Sequence, residues 1–376
     1  MDFELTAEQL DLRDAARTVL ASACPPTLVR AVHEGQEPPN ELWSTLVDLD
    51  WPGLGIPEEH GGIGLGFLEV GIVVEELGRV TAPTPFLATA TQLAPLLLES
   101  GSADRLAGVV AGTTTGTLAV AEGGRWDLHA IGAVARPTGD GWVIRGEKSH
   151  VVDGATADEL GVVARLEGTS GPEGLGAFLV PAAVVRAESV RGIDPTLPVA
   201  TLVLDDVDVP ADRVLVEPGD PRAAVVVRRT LEQATAALAL STVATCRAIF
   251  EMTLQYAKDR EQFGRPIGSF QAVKHRLAEV YLAVERASSL AYFAALTIAE
   301  DDERRAVATA MAKAAAGDCQ RLVVRDGLQL HGGVGFTWEH DLHFLLKRAK
   351  AGDLLFGTAA SHRARLARLL GLERVA

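Results

Sequence analysis

The chain has 376 residues, 48% of them apolar, with 50 acidic against 35 basic side chains. That length and apolar share exclude a disordered or fibrous chain and allow two or three domains around a large buried core. The net charge of −15 opposes neutralisation of nucleic-acid phosphates, so no nucleic-acid partner is expected.

The N-terminus, Met1-Asp2-Phe3-Glu4, has early acids and no basic lead into an apolar run, so no signal peptide is recognisable. From Leu5 to about Gly112 the pattern is helical. Thr6 and Gln9 make a capping box ahead of Leu10, Leu12, Ala16 and Leu20, and Asn40 caps residues 41–49. Pro52, Pro57 and six glycines break the pattern between Trp51 and Gly66, and a helix resumes over 67–77.

From about Thr113 the period changes to two, with β-branched runs at 117–121, 142–144, 151–152, 162–163 and 200–204. The segment 206–212 is expected to end this β region, and Glu217-Pro218-Gly219-Asp220-Pro221 reads as a hinge. The chain then turns helical over 223–259, 270–299 and 302–331, with a shorter pair after Trp338; brief connections imply an antiparallel bundle. The implied domains are 1–114, 115–217 and 222–376.

The most apolar stretch, 236–250, falls short of the roughly 20 residues of a membrane span and reads as core helix, so no span is expected. Apolar residues on several faces at 236–240 and 307–316 predict that some of this surface meets another subunit. Cys24, Cys246 and Cys319 are odd in number and lack metal-ligand or redox spacing. They read as thiols in a reducing compartment, and a cytoplasmic location is expected.

Phosphate-loop, nucleophile-elbow, zincin and dinucleotide-binding signatures are absent. Glu339, His340 and His343 have helical spacings but no fourth partner, so a surface helix start is expected there and no metal. Two segments are more specific. Tyr256-Ala257-Lys258-Asp259-Arg260-Glu261-Gln262-Phe263-Gly264-Arg265-Pro266-Ile267-Gly268-Ser269-Phe270-Gln271 ends one helix, with Arg260 and Phe263 predicted on one face, and opens another at Gln271. Gln329-Leu330-His331-Gly332-Gly333-Val334-Gly335-Phe336-Thr337 ends a helix in glycines that let backbone N–H groups approach an anion.

Together with the loop Gly55-Ile56-Pro57-Glu58-Glu59-His60-Gly61-Gly62, these segments resemble the acyl-CoA dehydrogenase family over essentially the whole chain. The resemblance implies a mainly α fold with a helical first domain, a central β-barrel or sandwich and a C-terminal four-helix bundle. It implies FAD, an acyl-CoA substrate desaturated between its α and β carbons, and an electron-transferring flavoprotein as electron acceptor. It also implies that Arg260, Phe263, Gln271, Gln329, Gly332 and Gly333 reach over to hold the adenosine diphosphate half of a neighbour's FAD.

The flavin-ring side departs from that family. Where Thr-Glu-Pro-x-x-Gly-Ser-Asp is usual, this chain has Ala121-Glu122-Gly123-Gly124-Arg125-Trp126-Asp127, and where Trp-Ile-Thr is usual it has His150-Val151-Val152. The usual glutamate before Gly-Thr is replaced by Phe356 in Leu354-Leu355-Phe356-Gly357-Thr358, and the alternative seat on the first bundle helix falls on Ala234. Glu232, about 200° away from Ala234 on an ideal helix, and Asp353 are the remaining candidates for a catalytic base. The resemblance is to the base-lacking subunits of heteromeric bacterial acyl-CoA dehydrogenases, which share FAD with a homologous subunit. Two alternatives stay open: a self-sufficient homo-oligomer with a displaced carboxylate, and a binding or scaffold protein without redox function.

Overall fold

A computed structural model describes residues 4–36 and 40–372. Helices occupy both ends of the chain and a mixed β-sheet its middle. The N-terminal helices are α1 (Ala7–Ala23), α2 (Pro26–His33), α3 (Asn40–Asp48), α4 (Phe67–Arg79), α5 (Phe86–Ala88), α6 (Ala94–Ser100) and α7 (Ala107–Val110). The predicted capping box is present at α1: the Thr6 hydroxyl accepts from the Gln9 N–H, and the Gln9 side chain accepts from the Thr6 N–H. Each bond satisfies a donor left over at the helix start. Pro26 opens α2 where its missing N–H is not needed. The residues before Asn40 lie outside the described ones, and so does its predicted role as a cap.

The glycine-rich break at 51–66 is a folded loop with two short 3₁₀ turns, Trp51–Gly53 and Glu58–His60. Backbone bonds from Ile63 to Gly53, Gly64 to Ile56 and Leu65 to Leu54 close it upon itself.

The sheet comprises β1 (Gly116–Ala119), β2 (Val134–Pro137), β3 (Gly141–Val152), β4 (Glu159–Leu166), β5 (Leu175–Pro181), β6 (Arg186–Val190), β7 (Val199–Pro210) and β8 (Val214–Val216). Its order is β6-β7-β3-β2-β4-β5-β8, with β1 also beside β4. β4 pairs in parallel with β1 and β2, and the other pairings are antiparallel. Ile144, Leu160, Val162, Phe178, Val180, Leu202 and Leu204 fill its core.

Two sequence expectations are corrected here. The runs at 142–144 and 151–152 are one strand, β3, with bulges between Ile144 and Gly146 and between Lys148 and Val151. Bulges interrupt the period of two without ending the strand. Residues 206–212 do not end the β region either: β7 runs to Pro210, Val207 pairs with Ile144 and Val209 with Trp142, and β8 comes next.

The C-terminal helices are α8 (Pro221–Asp259), α9 (Gln271–Ala299), α10 (Arg305–His331), α11 (Leu342–Leu354) and α12 (Ala359–Leu369), close to the predicted spans. Ala236, Ala237, Leu238, Ala239 and Leu240, and likewise Ala308, Ala310 and Ala312, are buried within the single chain. The many-sided apolarity of these residues therefore reflects internal burial, while Val307 and Met311 of the second run stay half-buried. By length and composition alone, α8 and α9 each contain a window apolar enough to cross a membrane. That window is 67% buried in α8 and 39% buried in α9, so α8 is a core helix of the fold.

The chain divides into two compact units that do not follow chain order. One takes residues up to Pro38, Phe67–Pro83 and Thr235 onward; the other takes Pro39–Gly66 and Thr84–Ala234.

Candidate functional site

Asp259 is the last residue of α8, and Arg260 lies beyond it. A two-stranded hairpin comes next, β9 (Glu261–Gln262) against β10 (Arg265–Pro266), with Gln262 paired to Arg265. Its tip is Phe263 at φ 53° and Gly264 at φ 76°, the two consecutive left-handed residues of a type I′ turn. The expectation that Arg260 and Phe263 share a helix face is therefore corrected: both stand on the hairpin segment. The Phe263 ring is 92% exposed and meets Phe270 edge-on, with ring centroids 6.1 Å apart. The Arg265 guanidinium lies 4.2 Å from the Phe270 ring centroid. Gln271 opens α9 as expected and is exposed, as is Arg260.

At the end of α10, Gln329 is exposed and His331 is buried. Gly332 then adopts φ 61° and ψ −139°, a backbone state closed to residues with a Cβ. Gly332 and Gly333 have no other atoms within 4 Å of the place a Cβ would take, so their backbone is open to a ligand. The loop after them is tied from far away in the sequence. Arg30 on α2 donates to the Trp338 carbonyl at 2.7 Å, to the Glu339 carbonyl at 3.2 Å and to the Asp341 carboxylate at 2.5 Å.

The two segments predicted to grip a nucleotide meet at one end of the bundle. Tyr256, in the last turn of α8, stacks on His331, with centroids 4.5 Å apart and planes 23° apart. An exposed guanidinium and a bare glycine backbone are groups that can receive an anion such as a diphosphate. Among the described residues no cluster of metal-ligating side chains occurs. His343 instead stacks on Trp338 at 4.5 Å, and α11 begins only at Leu342, after Glu339 and His340.

The β unit carries Glu122 and Lys148, a pair that reading along the sequence did not find. The Lys148 ammonium, wholly buried, donates to Glu122 Oε1 at 2.6 Å; the Glu122 side chain is 19% exposed. The same carboxylate accepts the N–H groups of Gly132 at 2.6 Å and Ala133 at 3.0 Å. Burial pulls the Lys148 ammonium below its ordinary range, against the opposing pull of Glu122. Glu122 and Arg125 bond backbone to backbone in both directions, and the Gly124 N–H donates to Ser149 Oγ at 3.0 Å. Glu122 is thus committed to holding a turn. Val152, which ends β3, is buried and has no hydroxyl.

Of the base candidates, Glu232 is buried within α8, as are Ala234 and Thr235. Asp353 is buried in the last turn of α11, where Oδ2 accepts from the Gln320 amide at 3.0 Å and lies 3.4 Å from Lys350 Nζ. Beneath it, buried Lys313 donates to the carbonyls of Asp353 at 3.1 Å and Gly357 at 2.7 Å; burial brings its ammonium down to about 7. Asp353 is thereby part of the scaffold of the next turn. That turn carries Phe356, buried and at φ 54°, a strained state for an aromatic residue.

His362 Nε2 donates to the Phe356 carbonyl at 2.8 Å, and burial pushes the imidazole down to about 4. The unfolded chain takes up this proton at about 6.5. Between those values the unfolded state holds more protons, so stability is lost as pH falls from about 6.5 towards 4. Thermal melts across that range should show a shallower acid slope for His362→Gln, which can still donate; an unchanged slope would rule out His362 as the source.

The chain matches two family models: Acyl-CoA dehydrogenase, N-terminal domain, over residues 6–117, and Acyl-CoA dehydrogenase, C-terminal domain, over residues 224–371. It is 30% identical to Acyl-CoA dehydrogenase IpdE2 of Mycobacterium tuberculosis (strain ATCC 25618 / H37Rv), covering 91% of each chain. Among solved structures it is similar to the ChsE4-ChsE5 complex from Mycobacterium tuberculosis, with TM-score 0.89 and 29% identity over 100% of both chains. It is also similar to a variant of the Tcur3481-Tcur3483 steroid ACAD, with TM-score 0.86 and 32% identity over 97% of this chain and 98% of that one. With both family models matched and the fold shared over the whole length, the chain belongs to the acyl-CoA dehydrogenase family of oxidoreductases.

Proposed function

We propose that this chain is the complementing subunit of a heteromeric, FAD-dependent acyl-CoA dehydrogenase. The observation that carries this reading is an asymmetry in the chain's own residues. Arg260, Phe263, Gln271, Gln329, Gly332 and Gly333 are each exposed and of types suited to a nucleotide diphosphate, while Phe356 and Val152 are buried at the positions where the family resemblance implies a base and a ring-side hydroxyl. One structural relative is the ChsE4-ChsE5 complex and another carries the paired name Tcur3481-Tcur3483, which supports a homologous partner.

When bound, FAD supplies the acceptor for the hydride leaving the β carbon. This chain's part is electrostatic and positional. The Arg260 guanidinium compensates diphosphate charge, the Gly332–Gly333 backbone admits the phosphates closely, and the Phe263 ring offers an apolar face to a heterocycle. The α proton is taken by a carboxylate of the homologous subunit. The substrate is an acyl-CoA, the electrons go on to an electron-transferring flavoprotein, and the complex works in the cytoplasm.

Purified alone, the chain should lose flavin on gel filtration and be nearly colourless, whereas co-expression with a homologous chain bearing the glutamate and the Trp-Ile-Thr strand should give a yellow complex. Stoichiometric flavin retained by the isolated chain would overturn the proposal. The second reading, a self-sufficient enzyme, draws on the burial of Glu232 and Asp353. It requires acyl-CoA to bleach flavin on this chain alone, with Glu232→Gln or Asp353→Asn abolishing the bleaching.

A further inference from the structure

Neither Tyr256 nor His331 belongs to the proposed ligand-facing set, yet their rings link its two halves. Gly327 on α10 lies so close to α8 that a Cβ there would be 2.8 Å from Ile249 Cγ2 and 3.4 Å from Thr253 Oγ1. The absence of a side chain at 327 therefore sets the approach of the two helices. About one turn further along both helices, the Tyr256 and His331 rings come face to face at 4.5 Å.

Each ring stands on the last turn of its helix, just ahead of the segment that leaves it. The Tyr256 carbonyl accepts the N–H of Arg260 at 2.8 Å, a backbone bond that places Arg260 one turn beyond the ring at the start of the hairpin segment. His331 Nδ1 is 2.8 Å from the Gly327 carbonyl. A carbonyl only accepts, so Nδ1 carries the proton and the ring orientation is locked. The Gly332 turn comes directly after His331, and His340 meets its ring edge-on at 5.0 Å. Nε2, the other ring nitrogen, is buried with no hydrogen-bond partner. One face of the ring is covered by Tyr256 and its edge meets His340, the contacts of a spacer between the two helix ends.

We propose that Tyr256 and His331 are positioning residues: their stack sets the separation between Arg260 and the Gly332–Gly333 backbone, and so the affinity for a nucleoside diphosphate. This rests on the reading of those two segments as the diphosphate surface, and the experiment separates the two claims. The probe is ADP, titrated by calorimetry into the full-length chain, with thermal melts of every variant alongside. Tyr256→Phe keeps the ring and should bind ADP like the unsubstituted chain. Tyr256→Leu keeps apolar bulk without the stack and should weaken ADP by about two- to tenfold, the equivalent of one aromatic pair; His331→Leu should do the same.

A purely structural role would lower the melting temperature of the leucine variants and leave ADP affinity unchanged, which overturns the proposal. Equal weakening by Tyr256→Phe and Tyr256→Leu also overturns it, because the ring would not be the active feature. Arg260→Ala is the control on the underlying reading. Undiminished ADP binding by that variant, or no binding by the unsubstituted chain, removes the diphosphate surface itself. Weakening by Arg260→Ala without weakening by Tyr256→Leu removes only the role of the stack.

Discussion

Assembly with a homologous subunit that carries a carboxylate base should raise the turnover of an acyl-CoA by about 10²- to 10⁴-fold over this chain alone, the usual worth of a positioned general base. The measurement is electron-acceptor reduction by the isolated chain, with FAD added, against the purified complex. Phe356 has no titratable group, and Asp353, three residues before it, is already engaged. Its carboxylate is held by Gln320 and Lys350 while Lys313 clamps its carbonyl. Within the assembled complex, Asp353→Asn and Glu232→Gln should leave the chemical step unchanged, and loss of the partner's carboxylate should abolish it. Substantial turnover by the isolated chain would end the heteromeric reading.

Lys148→Met should destabilise the β unit by roughly 3–5 kcal/mol, the penalty for removing one partner of a buried ion pair. Glu122 would keep the N–H groups of Gly132 and Ala133 but lose the ammonium that balances its charge at 2.6 Å. Adding Glu122→Gln to Lys148→Met should recover much of the loss, because the uncompensated negative charge goes with it. Urea unfolding followed by tryptophan fluorescence checks both, with the denaturant slope compared to confirm that a single transition is observed. A single-variant loss below about 1 kcal/mol would place the pair among exposed ones, which contribute little.

The long helices are legible in the sequence because each carries an apolar period over many turns: the expected spans 223–259, 270–299 and 302–331 lie within three residues of α8, α9 and α10. Strands are harder. β3 is divided by its own bulges, and β6 goes unseen because all five of its residues are exposed, which leaves no alternation to find. The hairpin after Asp259 escapes because four paired residues around Phe263-Gly264 are too few for a period. Phe263 also takes a left-handed backbone that asparagine or glycine usually marks.

The residue types at each position can be read in order: an arginine, amides and glycines at the proposed nucleotide surface, phenylalanine and valine at the positions where the family resemblance implies a base and a hydroxyl. Side-chain identity is written directly in the chain, and no fold can make Phe356 accept a proton. How those groups are held is visible solely in three dimensions: Lys148 against Glu122, Arg30 on a loop 308 positions away, and Tyr256 upon His331. Such pairings depend on where helices and strands cross, a property of the whole fold that leaves no local period or spacing to read.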